Sequence, residues 1–470
     1  MDYQEIIDRK RTIVNSPIHP LPADALQDVI RLFHQRGSKS RDEFSKMKNA
    51  IPGGLQHNLG SSEPFALTYS KTQGDKIYDI DGNEYVDYLL DGGPIILGHH
   101  FEPLDAEVVR LISEQGPAVG LTHENERRFA EEIIKLVPSV EMVRFVASGT
   151  EADTLAIRLA RVYTRKKKII KIAGNYHGWS DQLSLSINFP GTGPLDAEGI
   201  PKECYQHTIE VFQNDFAGLA RAFEQNKDDI AAVLVEPSGG HAGTFLAHPD
   251  WNKTLRDLCD QNGSLLIFDE VVTGFRLALG CGEAYYGVRP DLTVFGKIIS
   301  HGYAGAGAVG GPREIMRFCH PSSVDGHKAF VAGTMSANAV MVTAGYYALK
   351  FIQEYQAVEK AAAYADRLTQ ALNDLFATRK DLPFFAYNIQ SIIHVETSCY
   401  NGISVVENPA ARFSEVVERY TVLQTYALAL MTQGILPLGD RFYCCLQHNE
   451  ASMQKTLNAW EYVLSLIPAS

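Results

Sequence analysis

The sequence predicts an α/β protein with a mostly parallel sheet, completed by a smaller α+β domain. Between about residues 140 and 335, amphipathic helical segments alternate with short apolar segments: MVRFVAS, IIKIAG, AAVLVEP, LLIFDEV and LTVFGK. Apolar strands without polar alternation are buried on both faces, as in parallel sheets that helices cover. Such sheets bind ligands at the carboxyl ends of their strands, so we expect functional residues there.

The segments on either side have different patterns. The opening segment has apolar residues at helical spacing, and KIYDIDGNEYVDYLL then alternates around the turn pair Asp81-Gly82, which predicts a small antiparallel meander. A long helical stretch begins at about residue 336 and is followed by SIIHVETS, FYCCLQH and a final helix. We predict an N-terminal segment over 1–90, a large domain over 91–335 and a small α+β domain over 336–470, completed by the N-terminal segment.

The composition excludes several classes of function. The 470 residues carry a formal net charge of −13, whereas a general binder of nucleic-acid phosphates needs a basic face. Seven cysteines without a CxxC pair predict neither a disulfide framework nor a tetrathiolate metal site. The chain lacks an apolar run of about 18 residues, the length that spans a bilayer, and its start lacks a signal-peptide core. We expect a cytoplasmic protein with no nucleic-acid or membrane partner.

Two predicted strands end in residues of opposite charge. LLIFDEVVTGF carries Asp269 and Glu270 at its strand end, and LTVFGK carries Lys297. On a strand, Asp269 and Val271 share one face and Glu270 points to the other, so we expect Glu270 to make structural hydrogen bonds. A buried carboxylate needs a partner. From the spacing alone, a structural salt bridge explains the acid and the lysine at least as well as a functional site does.

Two further motifs follow strand ends. FVASGTEADTLAIRLA predicts a strand, the turn Ser148-Gly149-Thr150 and a helix, whose first N–H groups favour an anion such as phosphate. Capping of that helix is the structural alternative. NYHGW places Tyr176 and His177 directly after a strand, where they either stack on a planar ligand or pack in the core.

Together, these motifs describe a binding site for pyridoxal 5′-phosphate. The helix N-terminus suits the phosphate, the aromatic side chain covers one ring face, and Val271 covers the other. Asp269 meets the ring nitrogen, and Lys297 forms the Schiff base with the aldehyde. No single motif requires this ligand, but their combination predicts it.

The chain resembles the class III (subgroup II) aminotransferases of fold type I, through the ordered motifs FVASGTEA, NYHGW, VLVEP, LLIFDEVVTGFR, DLTVFGK and GTMSAN. It is most similar to the branch of glutamate-1-semialdehyde aminomutase and the β-amino-acid and D-phenylglycine aminotransferases, whose N-terminal signatures resemble IPGGLQHN and YDIDGNEYVDY. The resemblance implies a large domain with a mostly parallel seven-stranded sheet and a smaller α+β domain built from the N- and C-terminal segments.

The resemblance assigns roles to individual residues. It implies catalytic roles for Lys297 as the Schiff-base lysine, Asp269 as the pyridinium partner and Tyr176 as the stacking aromatic. It implies a cofactor site made of Ser148, Gly149, Thr150, Tyr176, His177, Glu236, Asp269, Val271, Lys297 and Thr334. Within this set, Glu236 lies near the ring hydroxyl, and Thr334 reaches the phosphate from a neighbouring subunit. A homodimer is therefore expected.

The implied reaction is transfer of an amino group from a primary amine to a keto acid or aldehyde, through a pyridoxamine 5′-phosphate form. An intramolecular aminomutase of the glutamate-1-semialdehyde type and an amino-acid racemase or epimerase are the alternatives. The chain departs from the family at Gly60, where many relatives carry an arginine that binds the substrate carboxylate, and glycine cannot replace a guanidinium. The remaining candidate substrate residues are Trp179, Asp440 and Arg441. Gly60 favours intermolecular transamination of an amine whose carboxylate is absent, distant or masked.

Other catalytic motifs are weaker. GAGAVG at residues 305–310 matches GxGxxG, which suggests an NAD-dependent oxidoreductase, but that fingerprint needs a strand before it and a helix that begins within it. Here the helical segment PREIMRF begins after the motif. His99, His100 and His177 lack a metal-ligand spacing such as HExxH, so no metal site is predicted.

Overall fold

The computed structural model describes residues 1–56, 63–116, 120–187, 190–193, 198–405, 412 and 414–469. Its strands, β1 to β14 in chain order, are Tyr69–Gln73, Lys76–Asp79, Glu84–Asp87, Met142–Val146, Lys168–Ala173, Thr208–Phe212, Ile230–Val235, Leu265–Glu270, Leu292–Gly296, Gly307–Gly311, Phe385–Ile389, Ile392–Glu396, Ile435–Leu436 and Arg441–Tyr443. Its helices, α1 to α16, are Tyr3–Asn15, Ala23–Arg36, Ser38–Met47, Glu102–Glu114, Glu124–Leu136, Gly149–Thr164, Lys202–Tyr205, Phe216–Gln225, Gly240–Gly243, Trp251–Asn262, Cys281–Tyr286, Arg313–Met316, Ala339–Glu354, Ala357–Phe376, Glu415–Thr432 and Glu450–Leu466.

Two compact units make up the described chain. The first contains Met1–Gly92, Leu97–Phe101 and Lys360–Ser470, and the second contains Gly93–Ile96 and Glu102–Glu359. The second unit extends beyond the predicted domain boundary at residue 335, because helix α13 packs against helices α4 and α5 of the same unit. Helical periodicity indicates that α13 is buried on one face, but not which domain covers that face.

The second unit contains a seven-stranded sheet in the order β4-β10-β9-β8-β7-β5-β6. Strands β9, β8, β7, β5 and β6 run parallel to one another, and β10 is antiparallel to both β4 and β9. The prediction of a mostly parallel seven-stranded sheet is confirmed. The carboxyl ends of β7, β8 and β9 therefore lie side by side at one edge, where the sequence places its candidate residues.

Two apolar layers explain why these strands lack polar alternation. Ile169, Leu234 and Ile267 pack on one face of the sheet with residues of helix α6. Their chain neighbours Ile170, Val233 and Leu266 pack on the other face with residues of helices α8 and α10. Because successive strand residues point to opposite faces, both faces are buried and both must be apolar.

The first unit contains two smaller sheets. Strands β1, β2 and β3 form an antiparallel meander that β13 extends in parallel, so the meander predicted around Asp81-Gly82 is confirmed. Strands β11, β12 and β14 form an antiparallel sheet. Phe33, Tyr88, Leu368 and Trp460 belong to the apolar core of this unit. Among the described helices of either unit, none is long and apolar enough to cross a membrane.

Candidate active site

The carboxyl edge of the large sheet gathers three ionisable residues. Asp269 lies at the end of β8, Glu236 directly follows β7, and Lys297 directly follows β9. Both acids are buried, and Lys297 is partly buried. Lys297 has a φ of 47°, a left-handed conformation that costs a non-glycine residue about 1–3 kcal/mol and persists at functional sites where the surroundings impose it.

The Asp269 carboxylate contacts the His177 ring and a backbone N–H. Its Oδ2 lies 2.6 Å from Nδ1 of His177, and its Oδ1 accepts a 2.9 Å hydrogen bond from the backbone N–H of Val271. Burial lowers the pKa of His177, although Asp269 opposes this shift. His177 is therefore a neutral ring that donates Nδ1–H, and its Nε2 has no hydrogen-bond partner among the described residues.

Glu236 organises the neighbouring loops. Its Oε1 accepts from the backbone N–H groups of Tyr176 (2.9 Å) and His241 (3.1 Å), and its Oε2 accepts from Ala242 (3.0 Å). Burial, and next the charge of Asp269, raises the pKa of Glu236 to about 7. These bonds connect the NYHGW loop to the segment after β7, a role that the motif VLVEP did not reveal.

Glu270 points away from Asp269, as the strand periodicity predicts. Its Oε2 accepts a 2.5 Å hydrogen bond from Thr273 Oγ1, and its Oε1 accepts one of 2.5 Å from the backbone N–H of Gly282. Burial raises the pKa of Glu270 to about 7, although these two bonds oppose the shift. The side chain has the structural hydrogen bonds that were expected.

The Ser148-Gly149-Thr150 turn begins helix α6. The Ser148 side chain accepts from the backbone N–H of Glu151 at 3.2 Å, so it caps the helix, while the other first-turn N–H groups point out of the helix end. A Cβ on Gly178, whose φ is 78°, would lie 2.1 Å from Thr150 Oγ1. Glycine in NYHGW therefore allows this loop to pack directly on the start of α6.

Val271 lies between two motifs. A Cβ on Gly149 would lie 3.0 Å from one Val271 methyl, and a Cβ on Gly296 would lie 2.9 Å from the other. Val271 thus contacts both the start of α6 and the residue before Lys297. Tyr176 is partly buried, and burial raises the pKa of its phenol. The structure therefore brings the predicted turn, loop, acid and lysine segments together.

Sequence reasoning missed Asp153, in the second turn of α6. This carboxyl group is buried, and ligand atoms of Asp153, His177 and Asp269 lie within 4.8 Å of one another. Two acids and an imidazole could hold a cation. A signal was available, because Asp153 lies on the same helix face as Ala156, Ile157 and Ala160, which are all buried.

The remaining predicted residues divide between the two units. Thr334 and Trp179 are exposed in the second unit. Asp440 and Arg441 belong to the first unit, where Arg441 Nε lies 3.8 Å from Asp440 Oδ1 and burial raises the pKa of Asp440 to about 6. Gly60 lies outside the described residues.

The GAGAVG motif does not form a dinucleotide fingerprint. Residues Gly307–Gly311 form β10, an antiparallel strand between β4 and β9, and helix α12 begins only at Arg313. No helix begins within the motif, so its N–H groups are not arranged around a pyrophosphate. The NAD alternative is therefore wrong on geometric grounds.

Comparison with known proteins gives matches along most of the chain. A family model described as "Aminotransferase class-III" matches residues 59–383. Glutamate-1-semialdehyde 2,1-aminomutase 2 of Bacillus mycoides (strain KBAB4) is 36% identical over 92% of this chain and 99% of that protein. An omega-transaminase from Sphaerobacter thermophilus superposes with a TM-score of 0.81 and 28% identity, over 93% of this chain and 98% of that chain. A glutamate-1-semialdehyde-aminomutase from Pseudomonas aeruginosa PAO1 in complex with PMP has a TM-score of 0.78 and 17% identity, over 98% of this chain and 99% of that chain.

Proposed function

Because this chain belongs to the class III aminotransferases, enzymes that use pyridoxal phosphate, we propose that it transfers an amino group with Lys297 as the residue that binds the cofactor. The arrangement around Asp269 is the observation that carries this proposal. Asp269 is buried, and the His177 ring and the Val271 N–H, which contact its two oxygens, are both neutral donors. A neutral donor leaves the negative charge uncompensated, and a protonated pyridine nitrogen is a cation that fits beside it.

Bound pyridoxal phosphate supplies a protonated ring that withdraws electrons from the bonds of the substrate carbon. Asp269 holds the proton on the ring nitrogen, and His177 and the Val271 N–H fix the carboxylate in place. The Lys297 amine would bind the cofactor and, once released by the substrate, would accept and return the proton of the substrate carbon. Tyr176 and Val271 would cover the two faces of the bound ring.

The phosphate is assigned to the start of helix α6. Gly149 and Thr150 present first-turn N–H groups of a helix of 16 residues, and the helix dipole favours an anion there. The contact between Gly178 and Thr150 holds the NYHGW loop beside this end. Glu236 is assigned to the ring-hydroxyl side, and its three backbone bonds support a role in holding the loop as well.

The proposed reaction is an intramolecular exchange of the glutamate-1-semialdehyde type, in which the amino group moves between neighbouring carbons of one substrate. The 36% identity over 99% of a curated 2,1-aminomutase supports this choice. Two features favour intermolecular transamination as a second candidate. Gly60 replaces the arginine expected in the family pattern, and the omega-transaminase structure covers 93% of this chain.

Dependence on an external acceptor separates the two reactions. The purified protein, loaded with cofactor, is incubated with glutamate 1-semialdehyde, with and without pyruvate or 2-oxoglutarate. We expect the isomer with its amino group on carbon 1 to form without an added acceptor. A product that forms only with a keto acid would instead support transamination, and inversion at the substrate carbon would support a racemase.

The variant Lys297→Ala tests whether Lys297 is the residue that binds the cofactor. Borohydride reduction and peptide mapping should place a pyridoxyl group on Lys297 of the wild type, and Lys297→Ala should lose it together with about 10⁴-fold of the activity or more. Lys253→Ala, which removes an exposed lysine of helix α10, should change neither. A pyridoxyl group on another lysine would contradict the assignment.

The homodimer is part of the same proposal. Thr334 is exposed in the second unit, which suits a residue that reaches the cofactor phosphate of a neighbouring subunit. Size-exclusion chromatography with light scattering should give twice the 52.0 kDa chain mass. A cytoplasmic location stays a prediction from the sequence.

A further inference from the structure

Asp153 is a buried acid that the proposed mechanism does not use. It lies on helix α6, 1% exposed, with a carboxyl oxygen within 4.8 Å of both the His177 ring nitrogen and the Asp269 carboxylate. Asp269 raises the pKa of Asp153 through its charge and through a side-chain hydrogen bond, after burial as the largest cause. Oδ1 of Asp153 has no hydrogen-bond partner among the described residues. A buried carboxyl group beside a second acid is costly when it is ionised, unless a partner compensates its charge.

The hydrogen bond between the two acids requires a proton. Ionised carboxylates only accept hydrogen bonds, so one of the two groups must be protonated. Asp269 already accepts hydrogen bonds from His177 and from the Val271 N–H, whereas Oδ1 of Asp153 has no partner among the described residues. The proton therefore belongs to Asp153. Burial, and next the charge of Asp269, raises the pKa of Asp153 well above its usual range.

The surrounding charges agree with this assignment. Glu236 adds a third acid, which further disfavours ionisation of Asp153. The Tyr176 phenol is kept protonated, because burial raises its pKa. Lys171 is also buried, and its Nζ donates to the backbone carbonyls of Asn175 and Leu185 at 2.8 Å. Burial, Asp269 and Glu236 thus all favour the neutral form of Asp153.

We propose that Asp153 is a positioning residue that donates a hydrogen bond from its neutral carboxyl group to Asp269, and thereby keeps the proton of the cofactor on the ring nitrogen. The inference rests on the proposed function, because Asp269 meets that nitrogen only if the cofactor binds as assigned. A donor to Asp269 makes this carboxylate a weaker base, so it competes less for the ring proton. Asp153 keeps its own proton throughout.

The position of the ring proton is a direct readout of this role. The holoenzyme is prepared with pyridoxal phosphate labelled with ¹⁵N in the ring, and the ¹⁵N shift separates protonated from unprotonated nitrogen. Asp153→Asn keeps a donor of similar size, so its ¹⁵N signal should match the wild type. Asp153→Ala removes the donor, and the ratio of protonated to unprotonated ring nitrogen should fall about tenfold, as expected for a lost hydrogen bond to a charged group.

Two outcomes overturn the inference. An unchanged ¹⁵N signal in Asp153→Ala would show that Asp153 does not influence the ring proton. If Asp153→Asn gave the same ¹⁵N signal as Asp153→Ala, a charge on Asp153 would matter rather than a donated hydrogen bond. Should the alanine variant fold poorly by thermal unfolding, Asp153→Leu, which also lacks a donor, is measured with the same expectation.

Failure of the proposed function can be distinguished from failure of the Asp153 role alone. If wild-type protein lacks a pyridoxyl group on Lys297 after borohydride reduction, the cofactor assignment fails and the Asp153 role fails with it. If Lys297 is labelled and the ¹⁵N signal of Asp153→Ala is unchanged, only the role of Asp153 is rejected.

Discussion

Each unit of the molecule buries a cluster of charged residues, and the two clusters differ in how their charges are balanced. In the first unit, Lys10 Nζ lies 2.8 Å from Glu396 Oε1, and each side chain is 3% exposed. Burial alone would lower the pKa of Lys10, but Glu396 and its neighbours raise it well above the usual value. In the second unit, Asp269 meets a neutral imidazole and a second acid.

The difference separates a structural ion pair from a binding site. A buried lysine beside a buried glutamate is neutral as a pair and needs nothing from outside the protein. A buried aspartate with neutral donors carries a negative charge that a ligand cation can compensate. Burial of charge is therefore common to both units, and only the uncompensated charge points to a cofactor.

The comparison is tested first by removing one partner of the Lys10–Glu396 pair. Lys10→Met leaves the Glu396 charge buried without its cation, so the free energy of unfolding should fall by about 3–5 kcal/mol. Urea unfolding of the cofactor-free protein measures this loss. The double variant Lys10→Met with Glu396→Leu should recover most of it, because no unpaired charge remains. A single variant as stable as the wild type would show that the pair is not a structural one.

The comparison is tested next by neutralising Asp269, the acid with neutral donors in the comparison above. Asp269→Asn should lower kcat by about 10²- to 10³-fold, because the ring nitrogen loses the charge that holds its proton. The free energy of unfolding without cofactor should change by less than about 1 kcal/mol, since His177 can change tautomer and accept from the amide. Asp257→Asn, at an exposed position of helix α10, is the matched control. An Asp269→Asn variant that keeps its kcat would reject the proposed site.

The sequence predicted the acid and the lysine but not the second acid. Asp269 and Lys297 end unbroken apolar strands, and such strands identify both the sheet and the edge where ligands bind. Asp153 lies within a helix, where periodicity shows that it shares a face with apolar residues but not which side chain that face meets. Its contact with Asp269 depends on how α6 packs across β8 and β9, and a single sequence contains no record of that packing.

The same limit applies to the fold. The strand pattern predicted the mostly parallel sheet, because burial on both faces leaves a distinctive apolar run. The unit boundary at Glu359 was not predicted, since helix α13 has the same kind of apolar face whichever domain it packs against. Local sequence patterns therefore predicted the helices and strands and the sheet edge that carries the site. Long-range packing determines which unit contains α13 and which residue contacts Asp153, and these were not predicted.

Glu270 allows a direct comparison with Asp269, because the two buried acids are adjacent in sequence. Glu270 makes structural contacts, with a hydrogen bond on each oxygen. Its folded pKa of about 7 lies above the usual value of 4.5. The folded state thus binds its proton more tightly than the unfolded state does. The stability that this proton contributes is complete below pH 4.5 and is lost as the pH rises through 7.

Glu270→Gln removes this titration while the amide keeps partners for Gly282 N–H and Thr273. We expect the variant to match the wild type in free energy of unfolding below pH 4.5 and to exceed it above pH 7, by about 1–3 kcal/mol. Its kcat should stay near that of the wild type, because the side chain points away from Asp269. Urea unfolding across pH tests the first expectation, with exposed Glu224→Gln as the control. If Glu270→Gln instead lost activity as Asp269→Asn should, complete hydrogen bonding would not distinguish a structural acid from a catalytic one.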